Sequence, residues 1–248
     1  MCGLYERNRN PGFYKYLEQA YKESCGGELL KNVSTLFVSA TWNREVVRIL
    51  QKRFGVGTNE STFLGEKKLD IKKMSIVHVD FRGRADGDHK FNKAVSYFVE
   101  ENEGLTIIFC NRKSEIYELK KYLEKTTKQE CARIHGISRK ERDPYHMTNK
   151  ERQEEMRDFK NGTKSVLLAT NAIARGIDIP AVKLVINLAV PMKYNERGRI
   201  VGVDSDTFRH RMGRTARFGR EGMAVAVTST DGEFNALAQI FKELDIDV

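Results

Sequence analysis

TIIFCNRKSEIYELKKYLEK, residues 106–125, decides the fold. Its first five residues are apolar or β-branched without interruption, the pattern of a strand buried on both faces. Asn111-Arg112-Lys113 breaks the run. Beyond it Ile116, Leu119, Tyr122 and Leu123 recur at helical steps, with Ser114 as the expected N-cap. A buried strand feeding straight into an amphipathic helix is half of a β-α-β unit, and such units build parallel sheets.

The same alternation continues in both directions. SIVHVDF (75–81), SVLLAT (165–170), KLVINLAV (183–190) and MAVAVTS (223–229) read as further strands, and a short strand precedes His135-Gly136. NKERQEEMRDF (149–159) aligns Arg152, Met156 and Phe159 on one helical face, with Asn161-Gly162 as its stop. These elements predict an α/β fold: a doubly wound parallel sheet with helices on both faces and ligands at the carboxyl ends of its strands. Residues 1–64 do not fit this unit. VSTLFVSA (33–40) and REVVRILQKRF (44–54) supply one strand and one long helix, too little for a core, and read as the tail of another domain. The expected organisation is therefore a remnant over 1–64, a linker over 65–74 and the α/β domain over 75–248.

Of the 248 residues, 40% are hydrophobic, enough for a sizeable core, and the formal net charge of +9 favours polyanionic partners. Solvated lysine faces would account equally for pairs such as Lys72-Lys73 and Lys120-Lys121. The four cysteines, at 2, 25, 110 and 131, show no zinc-ligand spacing and read as reduced thiols of an intracellular protein. No apolar run reaches the length of a membrane span, and the polar start MCGLYERNRN lacks the apolar segment of a secretory signal.

Two stretches stand out chemically. NAIARGIDIP (171–180) follows a strand end, where Gly176 would let a ligand approach the backbone and Asp178 could accept hydrogen bonds from ribose hydroxyls; a helix start capped by Asp178 is the alternative. HRMGRTAR (210–217) spaces Arg211, Arg214 and Arg217 three apart. On one helix these like charges would stand side by side, a costly arrangement unless an anion meets it.

SAT (39–41), IIFCNRK (107–113), RIHG (133–136), ATNAIARGID (169–178) and HRMGRTAR (210–217) occur in this order, each at or just after a strand. Together they resemble the DEAD-box RNA helicases, superfamily-two motors built of two RecA-like domains, over the span from Val33 to the C-terminus. His210, where the DEAH relatives usually carry glutamine, favours the DEAD-box branch. The resemblance implies that Arg214 and Arg217 are arginine fingers on the transferring phosphate of ATP, since planar permanent cations suit charge developing on phosphoryl oxygens. It places His210 and Arg211 at the interface that binds the nucleotide, with Gly176 beside it and Asp178 on the ribose. It also lays a sequence-independent RNA backbone along Asn111, Arg112, His135, Gly136, Arg152, Thr170, Asn171 and Gly176. Ser39, Ala40 and Thr41 would couple the ATP and RNA sites between domains. For Arg112 and Lys113, solvated charges at a helix start remain the other reading, and for Ser39 and Thr41, simple strand-end caps.

The chain departs from the family at several points. Asn149 stands where glutamine is usual before Arg152, Ala216 where glycine is commoner, and Trp42 where phenylalanine or tyrosine follows SAT. The stretch 137–151 reads as a long charged surface insertion. MKYNERGRIVGVDSDTF (192–208) is also long, and with FGREGMAVAV (218–227) and the closing helix it is similar to the mRNA-export branch at the nuclear pore. That likeness implies a nuclear-pore activator protein, an inositol phosphate, and a place in the nucleus or cytoplasm. Neither a G-x-x-x-x-G-K-[ST] loop nor a DEAD tetrapeptide occurs. The expectation is a chain that begins inside the first RecA-like domain, whose missing motifs would hold Mg²⁺, so that this portion alone hydrolyses nothing. An ATPase-inactive RNA-binding or regulatory module is the alternative.

Overall fold

A computed structural model describes residues 74–82, 87–136, 143–171, 182–195, 197–216 and 220–246, the side chains of 87–91 excepted. The chain divides into two compact units, Met1–Gly65 and Glu66–Val248, and all described residues belong to the second. The remnant and linker expected over 1–74 lie outside them, except Met74, which opens the first strand.

The elements run β1 (Met74–Asp80), α1 (Gly87–Glu100), β2 (Thr106–Phe109), α2 (Lys113–Thr126), β3 (Cys131–Ile134), α3 (Asn149–Lys160) and β4 (Val166–Ala169). There follow β5 (Leu184–Asn187), a hairpin of β6 (Met192–Tyr194) and β7 (Ile200–Val203), α4 (Ser205–Met212), β8 (Gly222–Thr228) and α5 (Asp231–Leu244). Six strands form one sheet in the order β1-β8-β5-β2-β4-β3, and every pairing in it is parallel.

The strands alternate their side chains between two covered faces. In β2, Ile108 joins Val95 and Val99 of α1 and Ile116, Leu119 and Leu123 of α2 on one face. Its neighbours Ile107 and Phe109 face Phe159 of α3 on the other. Farther along that second face, Ala224 and Ala226 of β8 pack against Phe208 and Met212 of α4 and Leu237, Ile240 and Phe241 of α5. An apolar strand buried on both sides thus follows from helices on both sides. β1 differs: it is an edge strand paired only with β8, and it is half-buried where full burial was expected.

Three local expectations need correcting. α2 begins at Lys113 with Arg112 as its N-cap, because the Glu115 carboxylate reaches back to accept the backbone N–H groups of Asn111 (3.0 Å) and Arg112 (3.2 Å), which leaves Ser114 inside the first turn. The stretch 137–151 is not wholly a surface insertion: Met147 is buried, Asp143 accepts from Lys113 Nζ at 2.6 Å, and Tyr145 packs on Tyr117 at 4.9 Å. Thr148 caps α3, its hydroxyl accepting from the Glu151 N–H while the Glu151 carboxylate accepts the Thr148 N–H. Finally, 192–208 is a hairpin plus the first half of α4, and α4 stops at Met212 with Gly213 as C-cap. The three arginines of HRMGRTAR therefore do not share one helix.

Candidate functional site

Parallel strands bring their carboxyl ends to one edge, and six of the residues singled out from the sequence follow them there. Asn111 and Arg112 follow β2, His135 and Gly136 follow β3, and Thr170 and Asn171 follow β4. Thr170 is half-buried, its N–H bonded to the Ile134 carbonyl at 3.2 Å. Asn111 is exposed, and the Arg112 guanidinium, also exposed, pairs with Glu115 at 2.9 Å.

His135 sits differently from a surface contact. Its ring is fully buried, at 6.0 Å from the Tyr117 ring, itself covered by the Arg133 guanidinium. Nδ1 lies 3.1 Å from the Gly136 carbonyl, which can only accept, so the proton is on Nδ1 and Nε2 takes the Tyr117 hydroxyl at 3.4 Å. Burial, and next to it the Lys113 and Arg133 charges, hold its pKa below 6.5, so the ring is neutral at pH 7. The imidazole is a wedge under the turn, and it is Gly136, half-buried beside it, that reaches the edge.

Arg211 is the buried centre of the site. It is 0% exposed, and its hydrogen bonds among the described residues go to amide and carbonyl oxygens rather than to a carboxylate. Nε donates to Asn171 Oδ1 at 2.9 Å and Nη2 donates to the same oxygen; Nη1 donates to the Ala189 carbonyl at 3.0 Å and to Asn187 Oδ1 at 3.3 Å. The Phe109 ring lies 5.0 Å from the guanidinium carbon. Burial pulls its pKa down to about 10, which leaves it charged at pH 7. Because both Arg211 N–H groups take Asn171 Oδ1, the exposed amide is oriented with its Nδ2 donors turned away from the guanidinium.

Arg214 and Thr215 of the last motif turn toward the opposite edge. Thr215 bridges to Val182, its hydroxyl donating to the carbonyls of Val182 (2.7 Å) and Lys183 (3.1 Å), just before β5 begins. Arg214, 8% exposed, accepts the Val182 N–H at its carbonyl at 3.1 Å. Gly222 makes this docking possible: a Cβ there would stand 2.0 Å from Thr215 Oγ1 and 2.6 Å from the Ala216 nitrogen. Ala216 has φ +53°, the left-handed region that glycine adopts at no steric cost, a physical reason for glycine being the commoner residue there. The strand-end residues thus stand at the carboxyl edge, whereas Arg214 and Thr215 are bonded to the segment that enters β5 at the amino edge. His210 is half-buried on α4, near its end. Gly176, Asp178, Arg217 and the Ser39-Ala40-Thr41 triplet lie outside the described residues.

A groove of about 590 Å³ opens between the end of β3 and α3, floored by Ile134 and Met156 and walled by Asn149, Arg152, Gln153, Arg157 and Lys160. Arg152 thus shares a basic channel with two further cations that the sequence reading did not single out. That reading also missed a cluster at the far side of the sheet. Arg82 forks onto Asp80, reaches Asp231 at 2.9 Å, and covers the Phe234 ring at 3.5 Å, while His78 bonds Thr228 at 2.8 Å. The Arg82 bonds hold Asp80 down to about 2. Its signal was present: His78 and Asp80 interrupt one side of an otherwise apolar strand, toward the start of α5. Among the described residues no group of three His, Cys, Asp or Glu side chains could hold a metal ion, and no helix is long and apolar enough to cross a membrane.

Residues 89–219 match the helicase conserved C-terminal domain family. The ATP-dependent RNA helicase DBP5 of Ajellomyces capsulatus is 30% identical over 215 residues; the match takes in 86% of this chain but 40% of that protein, so the chain spans less than half of its relative. A solved Saccharomyces cerevisiae Dbp5 variant bound to RNA and ADP BeF3 aligns over 93% of this chain and 56% of its own, with 28% identity and a TM-score of 0.68. Another, bound to Nup159, a Gle1 variant, IP6 and ADP, aligns over 84% of this chain and 48% of its own, with 29% identity and a TM-score of 0.57. With a parallel sheet like that of its DEAD-box relatives, the chain belongs to the helicase conserved C-terminal domain family.

Proposed function

We propose that the chain supplies the second RecA-like half of an ATP-driven RNA helicase, which hydrolyses ATP on RNA and locally separates short duplexes or strips bound proteins. The observation that carries the reading is the row of strand-end groups along one sheet edge, with the Asn171 amide fixed donors-outward by Arg211. Side-chain donors at Asn111, Thr170 and Asn171 and the backbone N–H of Gly136, with the cations of Arg112 and Arg152, suit phosphate oxygens and ignore base identity. Arg214 and Arg217 act on the transferring phosphate, with Asp178, Gly176 and His210 on the nucleotide and Ser39, Ala40 and Thr41 coupling the two sites. Arg211 contributes from inside, as a positioning residue.

Among the described residues no cluster of His, Cys, Asp or Glu fits Mg²⁺, which belongs to the phosphate-loop and DEAD motifs that this sequence lacks. Relatives solved with Nup159 and Gle1 support a nuclear-pore activator as partner and a place at the nucleus–cytoplasm boundary. The test is a titration of this chain with single-stranded RNA oligonucleotides of different sequence. Affinity should be indifferent to sequence and fall with salt at a slope of about −0.7 per phosphate neutralised. In a full-length protein, Arg217→Ala should abolish ATP turnover and spare RNA affinity. Turnover that survived would remove the finger assignment, and strong dependence on base sequence would remove the backbone reading.

A further inference from the structure

The hairpin of β6 and β7 places its apolar side chains unevenly. At its base Met192 and Val203 pair across the strands and pack into the cluster beneath α4 and α5. At its tip Tyr194 (60% exposed) pairs with Ile200 (57%), and Val201 (62%) is extruded by the bulge between them. These are three of the four large apolar side chains most exposed among the described residues, and they lie on one short ribbon. Single exposed apolar residues are ordinary; three on one protrusion mark a contact surface.

The tip is built rather than loose. Asn195 Oδ1 accepts the backbone N–H groups of Arg197 (3.0 Å) and Arg199 (2.9 Å), the Asn195 N–H donates to the Arg199 carbonyl (2.9 Å), and Gly198 turns the chain at φ +73°. Lys193, Arg197 and Arg199 stand exposed around the apolar patch, with no ion pair among the described residues. In sequence, 193–199 carries these three cations against one carboxylate, Glu196. Among the described residues the ribbon has two strands, so within them each keeps an outer edge without a neighbouring strand.

We infer that this hairpin is a docking site for an extended segment of a partner protein in which acidic side chains alternate with apolar ones. An added strand would take the ribbon's open edge, as peptides do on exposed sheet edges. Alternate side chains would then meet Tyr194, Ile200 and Val201, and carboxylates would meet the forks of Arg197 and Arg199 in charge-assisted pairs. Nucleic acid fits less well. Bases stack on planar rings, whereas two of the three exposed groups here are aliphatic. The inference rests on neither ATP turnover nor the RNA edge.

The experiment uses the full chain as bait for a displayed library of random peptides about 12 residues long, with counter-selection on the double variant R197E/R199E. Enriched sequences should alternate acidic and apolar residues. A labelled synthetic copy should bind at least about tenfold more weakly to R197E/R199E, and several-fold more weakly to I200T/V201T, by fluorescence anisotropy. Both variants change exposed side chains, and unchanged circular dichroism should show them folded. Enrichment that is absent, or indifferent to both variants, overturns the proposal. So does a single-stranded RNA whose affinity drops about tenfold in R197E/R199E while peptides bind alike, which would make the tip a nucleic-acid contact. A dimer of the parent chain that I200T/V201T dissociates in sedimentation would replace the partner with a second copy.

Discussion

Arg211→Met tests whether the buried guanidinium exists to hold Asn171. Methionine keeps a long unbranched side chain in a site with 0% exposure and removes the N–H donors to Asn171, Asn187 and Ala189. Asn171 is exposed, so water replaces its lost donor at little cost. Asn187 Oδ1 and the Ala189 carbonyl are buried, and losing a donor at each costs ~1–3 kcal/mol, roughly 2–6 in total. Against this stands relief of the burial that pulls the cation's pKa from 12.5 to about 10, roughly 3 kcal/mol. The expected net change therefore runs from a gain of about 1 to a loss of about 3 kcal/mol, below the 3–5 or so lost on breaking a buried ion pair. RNA affinity should nevertheless fall about fivefold, the equivalent of one hydrogen bond of ~1 kcal/mol, because the amide is free to rotate away. Urea unfolding followed by circular dichroism gives the first quantity and anisotropy with single-stranded RNA the second. A loss above about 5 kcal/mol, or a stable variant with parental RNA affinity, would refute the positioning argument.

Three further outcomes are expected. Gly222→Ala drives a Cβ to 2.0 Å from Thr215 Oγ1; it should lower Tm by the equivalent of ~1–3 kcal/mol, and a Tm equal to the parent's would contradict the close docking of the Arg214 loop. His78 and His135 both have pKa values held below 6.5, chiefly by burial. The folded state then binds fewer protons than the unfolded, so stability is lost as pH falls below 6.5; the double variant H78Q/H135Q should flatten the pH dependence of the urea midpoint there, and an unaltered slope counts against buried neutral rings. Asp80, held at about 2 against 3.8 by Arg82, contributes stability above pH 3.8 that disappears as pH falls through 2. Asp80→Asn should lower Tm at pH 7 and match the parent near pH 2; a gap that persisted in acid would point to a steric cause.

Much of the sheet was legible because double-sided burial leaves an unmistakable trace: TIIF, VLLA and LVIN are fully buried strands, found where their apolar runs lie. α2 was equally plain from Ile116, Leu119 and Leu123, all buried. Its start was not, since a carboxylate three residues inside the helix set it rather than a capping hydroxyl. The hairpin escaped because period-2 alternation is broken by the bulge beside Tyr194 and by exposed aliphatics. Among site residues, positions at strand ends were readable from order and spacing. What burial did to them was not: His135 and Arg211 read as contacts, and only their packing against Tyr117 and Phe109 shows that both are fully buried. Polar side chains announce their chemistry in a sequence but not their depth.

The pairing of the first strand with the last has a consequence for how the domain is made. Asp80 and Thr228, register partners in β1 and β8, are 148 residues apart. Emerging from the ribosome, β1 must wait for nearly the whole domain before its only sheet neighbour exists. β2, β3 and β4 assemble meanwhile around α2 and α3, and β8 enters last, between β5 and the waiting edge. Long-range parallel pairing of this kind is slow and exposes apolar edges while it is incomplete. Synthesis in the cell should therefore depend on whatever shields SIVHVDF during that interval, and a stall late in translation should be far more damaging than one early on.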